Sequence, residues 1–456
     1  MKSLFEIAKS GLQSSRHSMS ITANNIVNAD TPGYSRQRLE KTPNGMYVGQ
    51  SYVGLGVNIG NVVRLRDNMN DILLHNKQQD MGYLKGKADL YGKLEATLVS
   101  DSGNDLDSQV NSLFDNFSNL ASNPQDSSIR NNLVSEAIQF TNRMRSTSTQ
   151  IDQISDQDRS FTEQTIKSIN KLLNNINDLN KSIKQGKAKG QPDFKSLDIR
   201  DEKLSQLSEL VDFQSQVTET DAIKIQIGGK SVVDENKAYT LKSEVDNVNK
   251  KFRLRLDNGL LIKPSGGKLG AQIEMYEKDI PNLKNNLNKI ASTMVSEFNK
   301  LHSQGYGLSD NVQRNFFNPS GTTAATIQLN QDIIDNPNNI AASSVAGEAG
   351  NGDLAAKIAD LRDQKVIGKT VNNQSLTEYT VGVVSNPGVK LNSVNSTIQV
   401  RDSEIQMLKN QQEQTAGVSV DEELSRMIKF QNAYQGAAKV MSSAQKMYDT
   451  LINIVR

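Results

Sequence analysis

The chain has 456 residues, enough for two to four domains, and its 52 basic residues balance 51 acidic ones, which gives no electrostatic basis for binding nucleic acid or an anionic membrane. It contains no Cys, which excludes disulfides and thiolate chemistry, and no apolar run reaches the roughly 18 residues of a membrane span, so no membrane insertion is expected. With 36% hydrophobic and 5% aromatic residues, the composition favours thin helical layers with much solvated surface.

The N-terminal segment is predicted to form an amphipathic helix of about 25 residues. The helix must end at Thr31-Pro32-Gly33-Tyr34, because Pro32 cannot continue a helix and Gly33 occupies the position of a type II turn that favours glycine. Apolar and small residues recur at alternating spacings of three and four, which is typical of a coiled coil or bundle helix. This stripe consists of Phe5, Ala8, Leu12, Ser15, Met19, Thr22 and Ile26.

Further amphipathic helices are predicted along the middle of the chain. Their apolar stripes run over residues 106–120, 169–183, 197–211, 283–301 and 391–408. From Gln125 to Gln185 there is neither Gly nor Pro, and one helix over this range would be about 90 Å long. Long helices with narrow apolar stripes indicate an elongated rod.

The hydrophobic period switches from helical to alternating between about Phe213 and Ile273. Ile223–Ile227 alternates apolar with polar residues before Gly228-Gly229, and Phe252–Leu256 does the same before Asp257-Asn258-Gly259. Alternation bounded by glycine-containing turns predicts antiparallel strands. We therefore expect a small β domain inserted into the helical rod.

The C-terminal segment carries the strongest stripe. It consists of Val420, Leu424, Met427, Gln431, Tyr434, Ala438, Met441, Gln445, Tyr448, Ile452 and Val455. Ser419 and Glu422 have the spacing of a capping box, and the acidic run Asp421–Glu423 complements the helix dipole. An isolated helix of this kind is marginal in water. We therefore expect both chain ends to be largely disordered in the monomer and to fold by packing against neighbouring copies.

Motifs for catalysis, cofactors or metals are not supported. The glycines of GLGVNIG have the wrong spacing for a dinucleotide fingerprint, and a β-turn element is favoured for them. Gly229-Lys230-Ser231 has Lys224 where a phosphate loop needs its first glycine. The three histidines, His17, His75 and His302, lack metal-ligand spacing and are expected at the surface or at interfaces. No catalytic, cofactor-binding or metal-binding residue is predicted.

The predicted fold is mainly α with a small β insertion. The terminal helices, residues 1–40 with 415–456, form a coiled coil. Residues 41–212 with 274–414 form an elongated helical-bundle rod domain, in which residues 305–375 are expected to be irregular loops and short strands. Residues 213–273 form the antiparallel β domain.

Both chain ends carry specific sequence motifs. The N-terminal motif SGLQSSRHSMSITANNIVNADTPGYSRQ resembles the signature of the flagellar rod and hook axial proteins, and its ending TPGYSRQ is similar to the hook-associated protein 1 family among them. The C-terminal motif GVSVDEELSRMIKFQNAYQGAAKVMSSAQKMYDTLINIVR agrees with the same family. Internal matches include YVGLGVNIGNVVRLRD and LDIRDEKLSQLSELVDF. The resemblance therefore spans nearly the whole chain.

The resemblance implies that the terminal helices pair as an inner coiled coil in the wall of a tubular assembly. Asn24, Asn25 and Asn28 would supply amides for contacts between helices or to turn backbones. The turn by which the chain leaves the inner layer would consist of Asp30, Thr31, Pro32, Gly33 and Tyr34. The other residues of the implied assembly interface are Phe5, Ala8, Leu12, Met19, Ile26, Val420, Leu424, Met427, Tyr434, Ala438, Met441, Tyr448, Ile452 and Val455.

The resemblance also implies partners and a location. The partners would be identical copies in a tubular ring, the hook subunit, a second junction protein (hook-associated protein 3), and an export chaperone that covers the C-terminal helix. The protein would leave the cell by flagellar type III export and reach the hook–filament junction outside it. Composition by itself would instead suggest a cytosolic protein.

Three other functions remain open. Within the same class, the chain could be a hook or rod subunit. From other classes, it could be a cytosolic coiled-coil adaptor, or an enzyme with its active site in residues 305–375.

Overall fold

The structure, a computed structural model, describes residues 2–48, 50–99, 105–246, 248, 250–308, 310–368 and 373–455, without the side chains of residues 2, 3, 48 and 453–455. Its helices are α1 Lys2–Val27, α2 Asn68–Leu98, α3 Leu106–Ser122, α4 Ser127–Ala188, α5 Phe194–Leu210, α6 Gly267–Glu274, α7 Ile280–His302, α8 Gln331–Asp335, α9 Asp353–Ala359, α10 Leu376–Ala416 and α11 Val420–Val455. Its strands are β1 Gln37–Val48, β2 Ser51–Arg64, β3 Gln214–Val217, β4 Ile223–Ile227, β5 Lys230–Val233, β6 Leu241–Asp246, β7 Lys251–Leu256 and β8 Leu261–Ile262. The prediction of a mainly helical fold with a small β insertion is confirmed.

The rod is built around α4, which is one unbroken helix. Asp126 caps its first turn, because the Asp126 carboxylate accepts hydrogen bonds from the backbone N–H groups of Ser128 and Ile129. Two further rod helices, α2 and α10, run antiparallel to each other. Near the start of α2, Asn70 donates a hydrogen bond to the carbonyl of Leu408 in α10. Further along α2, Gly92 lies near Leu391, which comes earlier in α10. The stripe-based prediction included only the second half of α10 and did not include α2.

The main core lies where α3, α7 and the first half of α4 meet the irregular segment 305–361. Its centre is a group of aromatic rings packed edge to face or tilted, with the centroids of Phe117 and Phe316 5.1 Å apart and those of Phe298 and Phe317 5.6 Å apart. Phe114 and Phe140 are also fully buried in this core. The rings bring helices that are distant in sequence into one hydrophobic core.

The β insertion consists of two three-stranded antiparallel sheets, in the orders β3-β4-β5 and β6-β7-β8. Gly228 and Gly229 link β4 to β5 with positive φ angles of 54° and 72°, as a two-residue hairpin turn requires. Two α4 asparagines hold the sheets on the helix: Asn180 exchanges two hydrogen bonds with the backbone of Ile223, and Asn170 does the same with Leu241. The insertion is therefore fixed on the second half of α4.

A long hairpin, β1–β2, occupies residues that sequence analysis assigned to the start of the helical rod. The segment GLGVNIG lies within β2 and pairs with β1, so the expectation of a β-turn element is wrong. The hairpin lies along α1, where the Val57 N–H donates to the Ser10 hydroxyl at 3.2 Å. Gly56 has a φ of 105°, and a Cβ there would be 3.2 Å from the Ile7 Cα. Glycine at this position therefore lets the strand approach the helix.

The segment 305–375 contains short helices and isolated bridges rather than the expected short strands. Among its described residues, α8, α9 and two 3-10 turns alternate with loops, and bridges join Tyr306 to Ser343 and Phe317 to Leu329. Arg130, fully buried on α4, donates to the carbonyl oxygens of Pro124 and Ile340. These bonds satisfy loop carbonyls that the core would otherwise leave unpaired.

Two of the three histidines are buried, so the expectation that all lie at the surface or at interfaces is wrong. His302 is fully buried, and its Nε2 accepts a hydrogen bond from the Ala341 N–H while Nδ1 donates to the Arg314 carbonyl. Burial lowers the pKa of His302 to about 4, so the ring is neutral and acts as a bridge between loops. His75 is also buried, beside Phe213, whereas His17 is exposed.

Candidate functional site: the terminal helices and their junction with the rod

The two terminal helices lie side by side and run in opposite directions. The start of α11 contacts the end of α1, where the Asn25 amide donates to the Glu423 carboxylate at 3.0 Å. Further along the pair, a Cβ on Gly11 would be 3.3 Å from the Cβ of Ala437, so the glycine permits close approach. Ala8 and Ala444 are also buried. The helices therefore meet largely through small side chains, which bury little apolar area.

The predicted α1 residues do not share one environment. Ala8 is buried, Leu12, Met19 and Ile26 are partly buried, and Phe5 is exposed. The three asparagines also separate: Asn25 is buried, Asn28 is partly buried, and Asn24 is exposed. Of the three amides, it is that of Asn25 that bonds α11 and the hairpin.

Most of the predicted α11 stripe faces outward in the single chain. Val420, Leu424, Tyr434, Tyr448 and Ile452 are exposed, whereas Met427, Ala438 and Met441 are partly buried. The side chain of Val455 lies outside the described part of the chain. The exposed members leave an apolar surface without a covering element, which is unusual for the outside of a folded domain.

The face of α11 that packs on the rest of the chain is not the predicted stripe but a neighbouring one, shifted by one residue toward the N-terminus. Its members are Glu423, Phe430, Ala437 and Ala444, which recur every seven residues and are buried or partly buried. Each precedes a predicted position by one residue. The helix therefore has two neighbouring stripes, one in contact with α1 and the hairpin, and one free.

Asn25 is the centre of the junction between the terminal helices and the hairpin. Its amide nitrogen donates to the Gln37 carbonyl and to Glu423 Oε2, both at 3.0 Å. Its amide oxygen accepts hydrogen bonds from the Gln37 N–H at 3.0 Å and the Tyr34 hydroxyl at 2.8 Å. With only 1% of its surface exposed, Asn25 joins α1, β1 and α11 through one side chain.

Tyr34 remains a hydrogen-bond donor in this junction. Burial, with a contribution from the charges of Asp198 and Glu423, raises the pKa of the Tyr34 phenol to about 12. The phenol therefore stays protonated at any physiological pH and keeps its bond to Asn25. Glu423, which accepts a hydrogen bond from Asn25, is itself buried, and the dipole explanation for the acidic run did not anticipate this.

The chain leaves α1 through a tight turn. The Tyr34 N–H donates to the Thr31 carbonyl at 3.1 Å, and Gly33 has a φ of 79°, so Thr31–Tyr34 is a type II turn with Pro32 at its second position. Before it, Asn28 donates to the backbone and side chain of Asn24, which closes the last turn of α1. Asp30, Thr31, Pro32 and Gly33 are exposed.

An ion-pair cluster fixes the base of the hairpin on the rod. Arg64, at the end of β2, contacts Asp198 at 2.8 Å and Asp201 at 2.7 Å, both on α5. Arg66 contacts Asp71 of α2 at 2.8 Å. Ser35 lies inside the cluster, where its hydroxyl accepts hydrogen bonds from Arg64 at 3.2 Å and from Arg66 at 3.4 Å. Partly buried Arg–carboxylate pairs of this kind hold elements in a defined orientation.

The link between α10 and α11 passes through the same junction. The Arg36 N–H donates to the carbonyl of Ala416, the last residue of α10, at 2.8 Å. The Arg36 guanidinium reaches Glu422 of α11 at 3.3 Å. The two passages between the rod and the hairpin or α11 therefore meet at one place with the link from α1 to β1, where the Leu65 N–H also donates to the Arg36 carbonyl. The arrangement is suited to transmitting force and orientation.

Sequence analysis did not identify the charged residues of this junction. Arg64 and Arg66 lie in YVGLGVNIGNVVRLRD, while Asp198 and Asp201 lie in LDIRDEKLSQLSELVDF. Opposite charges concentrated in two quoted motifs could have indicated a contact between them. Glu422 and Glu423 gave no such signal, because acidic residues in a first helical turn have a sufficient local explanation.

Neither a metal-ligand cluster nor a membrane-spanning helix is found among the described residues. Within the described ranges, no group of three or more His, Asp or Glu side chains is placed to hold a metal ion. In the same part of the chain, no helix is both long and apolar enough to cross a membrane.

Three protein-family models match the chain. Residues 91–317 match the helical domain of flagellar hook-associated protein FlgK, which covers much of the rod and the β insertion. Residues 5–34 match a flagella basal body rod protein model, and residues 411–454 match the C-terminal model of the flagellar basal body rod FlgEFG proteins. The two rod-protein matches coincide with α1 and α11.

Curated relatives and a solved structure agree with these matches. The chain is 26% identical to flagellar hook-associated protein 1 of Bacillus subtilis over 98% of this chain and 97% of that protein. It is 22% identical to the proteins of the same name from Salmonella typhimurium and Escherichia coli over the full length of each. The flagellar hook junction protein FlgK from Burkholderia pseudomallei matches 76% of this chain and 100% of that one, with a TM-score of 0.64 at 13% identity, which shows a shared fold.

These matches agree with the arrangement of the molecule, in which two terminal helices are joined by a polar junction to a helical rod with a β insertion. The chain therefore belongs to the flagellar hook-associated protein 1 family.

Proposed function

We propose that this flagellar protein is a structural subunit that polymerises through its terminal helices at the distal end of the hook and connects hook to filament. The observation that carries the proposal is the free stripe of α11. Leu424 is 45% exposed, and Val420, Tyr448 and Ile452 are exposed along the same helix, which already contacts α1. Covering an apolar side chain of this size is worth about 1.5–3 kcal/mol, and a stripe repeated in every subunit adds this gain at each interface.

The assembly uses the outward-facing members of the predicted interface, and the inward-facing members hold α1 and α11 together. Identical copies form a tubular ring, with the hook subunit on one side and the second junction protein, hook-associated protein 3, on the other. The junction around Asn25 sets the angle between the helices in the tube wall and the rod outside. Its hydrogen bonds and ion pairs are supporting observations, because a junction between layers must resist rotation.

Three structural parts serve this function. Residues 1–40 with 415–456 form the inner layer, residues 41–212 with 274–414 form the rod, and residues 213–273 form a small outer domain. The hairpin β1–β2 packs on α1, which supports moving the boundary of the inner layer from residue 40 to about the end of β2 at Arg64.

Export precedes assembly. The chain leaves the cell by the flagellar type III pathway with its signal in the N-terminal region, and a chaperone covers the stripe of α11 until export. An exposed apolar stripe in a free subunit supports such a partner, because uncovered stripes promote aggregation. Secretion of the chain into the medium by a filament-deficient strain tests export. Retention in the cytosol would favour a coiled-coil adaptor instead.

Leu424→Asp tests the interface. Leu424 is largely exposed in the single chain, so we expect the variant to stay folded and soluble but to be lost from isolated flagella, because each copy would bury an unpaired charge between subunits. The measurement is immunoblotting of purified hooks and filaments. Ser425→Asp introduces the same charge at the next exposed position and should still assemble. Normal incorporation of the Leu424 variant would refute the assigned interface.

A null strain gives an independent test at the level of the cell. Without this chain, we expect hooks that end without filaments and flagellin secreted into the medium unpolymerised. Filaments of normal length in such a strain would contradict a junction role.

A further inference from the structure

The hairpin β1–β2 forms an uncharged arm whose far end is exposed in the described part of the chain. From Pro43 to Val63 no residue is Asp, Glu, Lys, Arg or His, although charged residues make up 23% of the chain. At its far end, Tyr47 is 73% and Tyr52 54% exposed, and Met46 and Val53 are exposed beside them. We call the described residues between Asn44 and Ile59 the arm.

The arm lacks the usual protection of an exposed sheet. Natural sheets protect exposed strands with charges, short length or a covering element, since a bare strand invites pairing. In the described residues, β1 and β2 form a two-stranded sheet with no third strand, and no described residue of β2 is fully buried. A two-stranded sheet alone is marginal in water. A covering molecule would therefore account for both the length of the arm and the apolar side chains at its far end.

The position of the arm relates it to the terminal helices. Ser10 of α1 accepts a hydrogen bond from Val57 of the arm, and the next residue, Gly11, contacts Ala437 of α11. Consecutive helical residues point about 100° apart, so the arm and α11 lie on neighbouring faces of α1. The arm is thus continuous with the surface through which we propose that the subunits assemble.

The same chain carries a surface of matching character. The segment Phe430–Ala438 of α11 has no charged residue, and Leu424, Ile428 and Tyr434 expose apolar side chains around it. Two apolar surfaces on one chain, neither covered by the other among the described residues, are suited to a head-to-tail contact between copies. Repeating such a contact by rotation generates a closed ring.

We propose that the arm of each subunit packs against the free stripe of α11 on a neighbouring copy of the same chain. The inference rests on the proposed function, because it needs copies assembled side by side. Its new content is the partner of the arm and the surface that this partner offers. The Tyr47–Tyr52 pair, whose rings are packed edge to face at 5.4 Å, supplies the aromatic anchors typical of interface centres.

Site-specific photocrosslinking tests the contact in assembled flagella. A benzophenone amino acid replaces Tyr47, hooks are isolated and irradiated, and adducts are digested with trypsin and sequenced by mass spectrometry. We expect an adduct of twice the chain mass that joins the position of Tyr47 to the tryptic peptides ending at Arg426, Lys429 or Lys439. The same replacement at Phe161, an exposed aromatic residue of α4, is the matched control and should not give these products.

The outcomes separate the two proposals. In one set of results the chain is present in the hooks without the expected adduct, either because the probe at Tyr47 crosslinks to another protein, to another segment or within its own chain, or because no adduct forms. Each of these results overturns the arm contact and leaves the proposed function standing. If the wild-type chain is absent from hooks, both are overturned. As a second measurement, Tyr47→Ser with Tyr52→Ser should reduce the amount of incorporated chain while the circular dichroism of the soluble protein is unchanged. Undiminished incorporation would also contradict the contact.

Discussion

Asn25 links three elements because both ends of its amide are used. An asparagine amide offers two donors and one acceptor oxygen with two lone pairs, and this side chain bonds Gln37, Tyr34 and Glu423. In the junction, the Asn25 side chain pairs with the backbone N–H and carbonyl of Gln37 at the start of β1, as a neighbouring strand would. Its neighbour Asn24 is exposed, and its amide oxygen accepts a hydrogen bond from Asn28 within the same helix turn.

Replacing Asn25 by Ala should loosen the junction. The change removes four hydrogen bonds and leaves the Tyr34 hydroxyl and the buried Glu423 without this partner, which typically costs about 1–3 kcal/mol. We expect faster proteolysis and amide exchange across the end of α1 and the base of the hairpin. Asn24→Ala is the matched control and should change both rates much less, because it removes one exposed hydrogen bond within α1 and no contact to the hairpin or α11. Equal effects of the two variants would show that the hydrogen bonds of the Asn25 amide do not stabilise the junction.

Asp158 is a buried carboxyl group inside the rod. It lies on α4 with 1% of its surface exposed, and its Oδ2 has no hydrogen-bond partner among the described residues. Burial raises the pKa of the Asp158 carboxyl to about 7; the charge of Asp89 also raises it, and that of Lys93 opposes the shift. The folded state therefore binds a proton that the unfolded chain releases at lower pH.

The rod should consequently become less stable as pH rises through this range. Because the pKa of Asp158 is higher in the folded state, its contribution to the free energy of unfolding falls from about pH 4 to about pH 7 and is constant above. We expect Asp158→Asn to be more stable than the wild type at pH 8, by at most about 4 kcal/mol, and to lose most of that advantage at pH 4.

Denaturant unfolding at several pH values measures this difference. Asp156→Asn removes a carboxylate from an exposed position of the same helix and serves as control. A stability difference between wild type and Asp158→Asn that does not change between pH 4 and pH 8 would contradict the raised pKa.

At the scale of elements, α11 has a long contact with α1 but a weak one. Gly11, Ala8, Ala437 and Ala444 bring the helices close, yet small side chains contribute little buried apolar area per residue. Many of the larger apolar residues of α11, such as Leu424, Ile428 and Tyr448, are exposed instead of packed on α1. We therefore expect the α1–α11 pair to pack against a further surface. Alone, the pair buries too little apolar area to offset the conformational entropy lost when two long helices become ordered.

Hydrogen exchange on the soluble chain measures this weakness. We expect residues 425–450 to exchange quickly in the monomer and to become protected in assembled flagella. Helix α7, Ile280–His302, whose inward face is buried in the main core, is the internal reference and should be protected in both states. Strong protection of residues 425–450 in the dilute monomer would contradict the prediction that the ends fold on assembly.

The elements that sequence analysis found and those it missed differ in their side chains. α3, α5 and α7 bury regular apolar stripes, and these stripes predicted them. The inward face of α2 does bury apolar residues, among them Leu74, Met81, Leu90, Leu94 and Leu98. Polar residues and glycines such as Gln78, Gly82 and Gly86 are buried between them, which weakens the apolar period. The hairpin was missed because its faces are largely exposed, which removes the apolar alternation of a half-buried strand.

At the scale of the whole molecule, the rod has cores of its own. In the described part of the chain, the three clusters of buried apolar residues lie between Leu74 and Leu408 and include no residue of α1 or α11. The terminal helices are attached through the polar junction and through their contact with each other. The rod should therefore keep its fold when the terminal helices fray or rearrange.

Deleting residues 418–456 tests this independence. We expect calorimetry to show a thermal transition of the rod within a few degrees of that of the intact chain, because the apolar cores are retained and only junction contacts are lost. The truncated chain should not enter flagella. Loss of the cooperative transition would show instead that α11 contributes to the rod core.

The sequence by itself determined the helical class, the β insertion and the presence of a helix at each end of the chain, because these depend on local periodicity and on turn residues such as Pro32 and Gly33. Only the tertiary structure decided which side of α11 meets α1, that the hairpin lies along α1, and that Arg64, Asp201 and Asn25 form one junction. Those contacts join residues far apart in the chain, and their polar partners are chosen by geometry that no local pattern encodes.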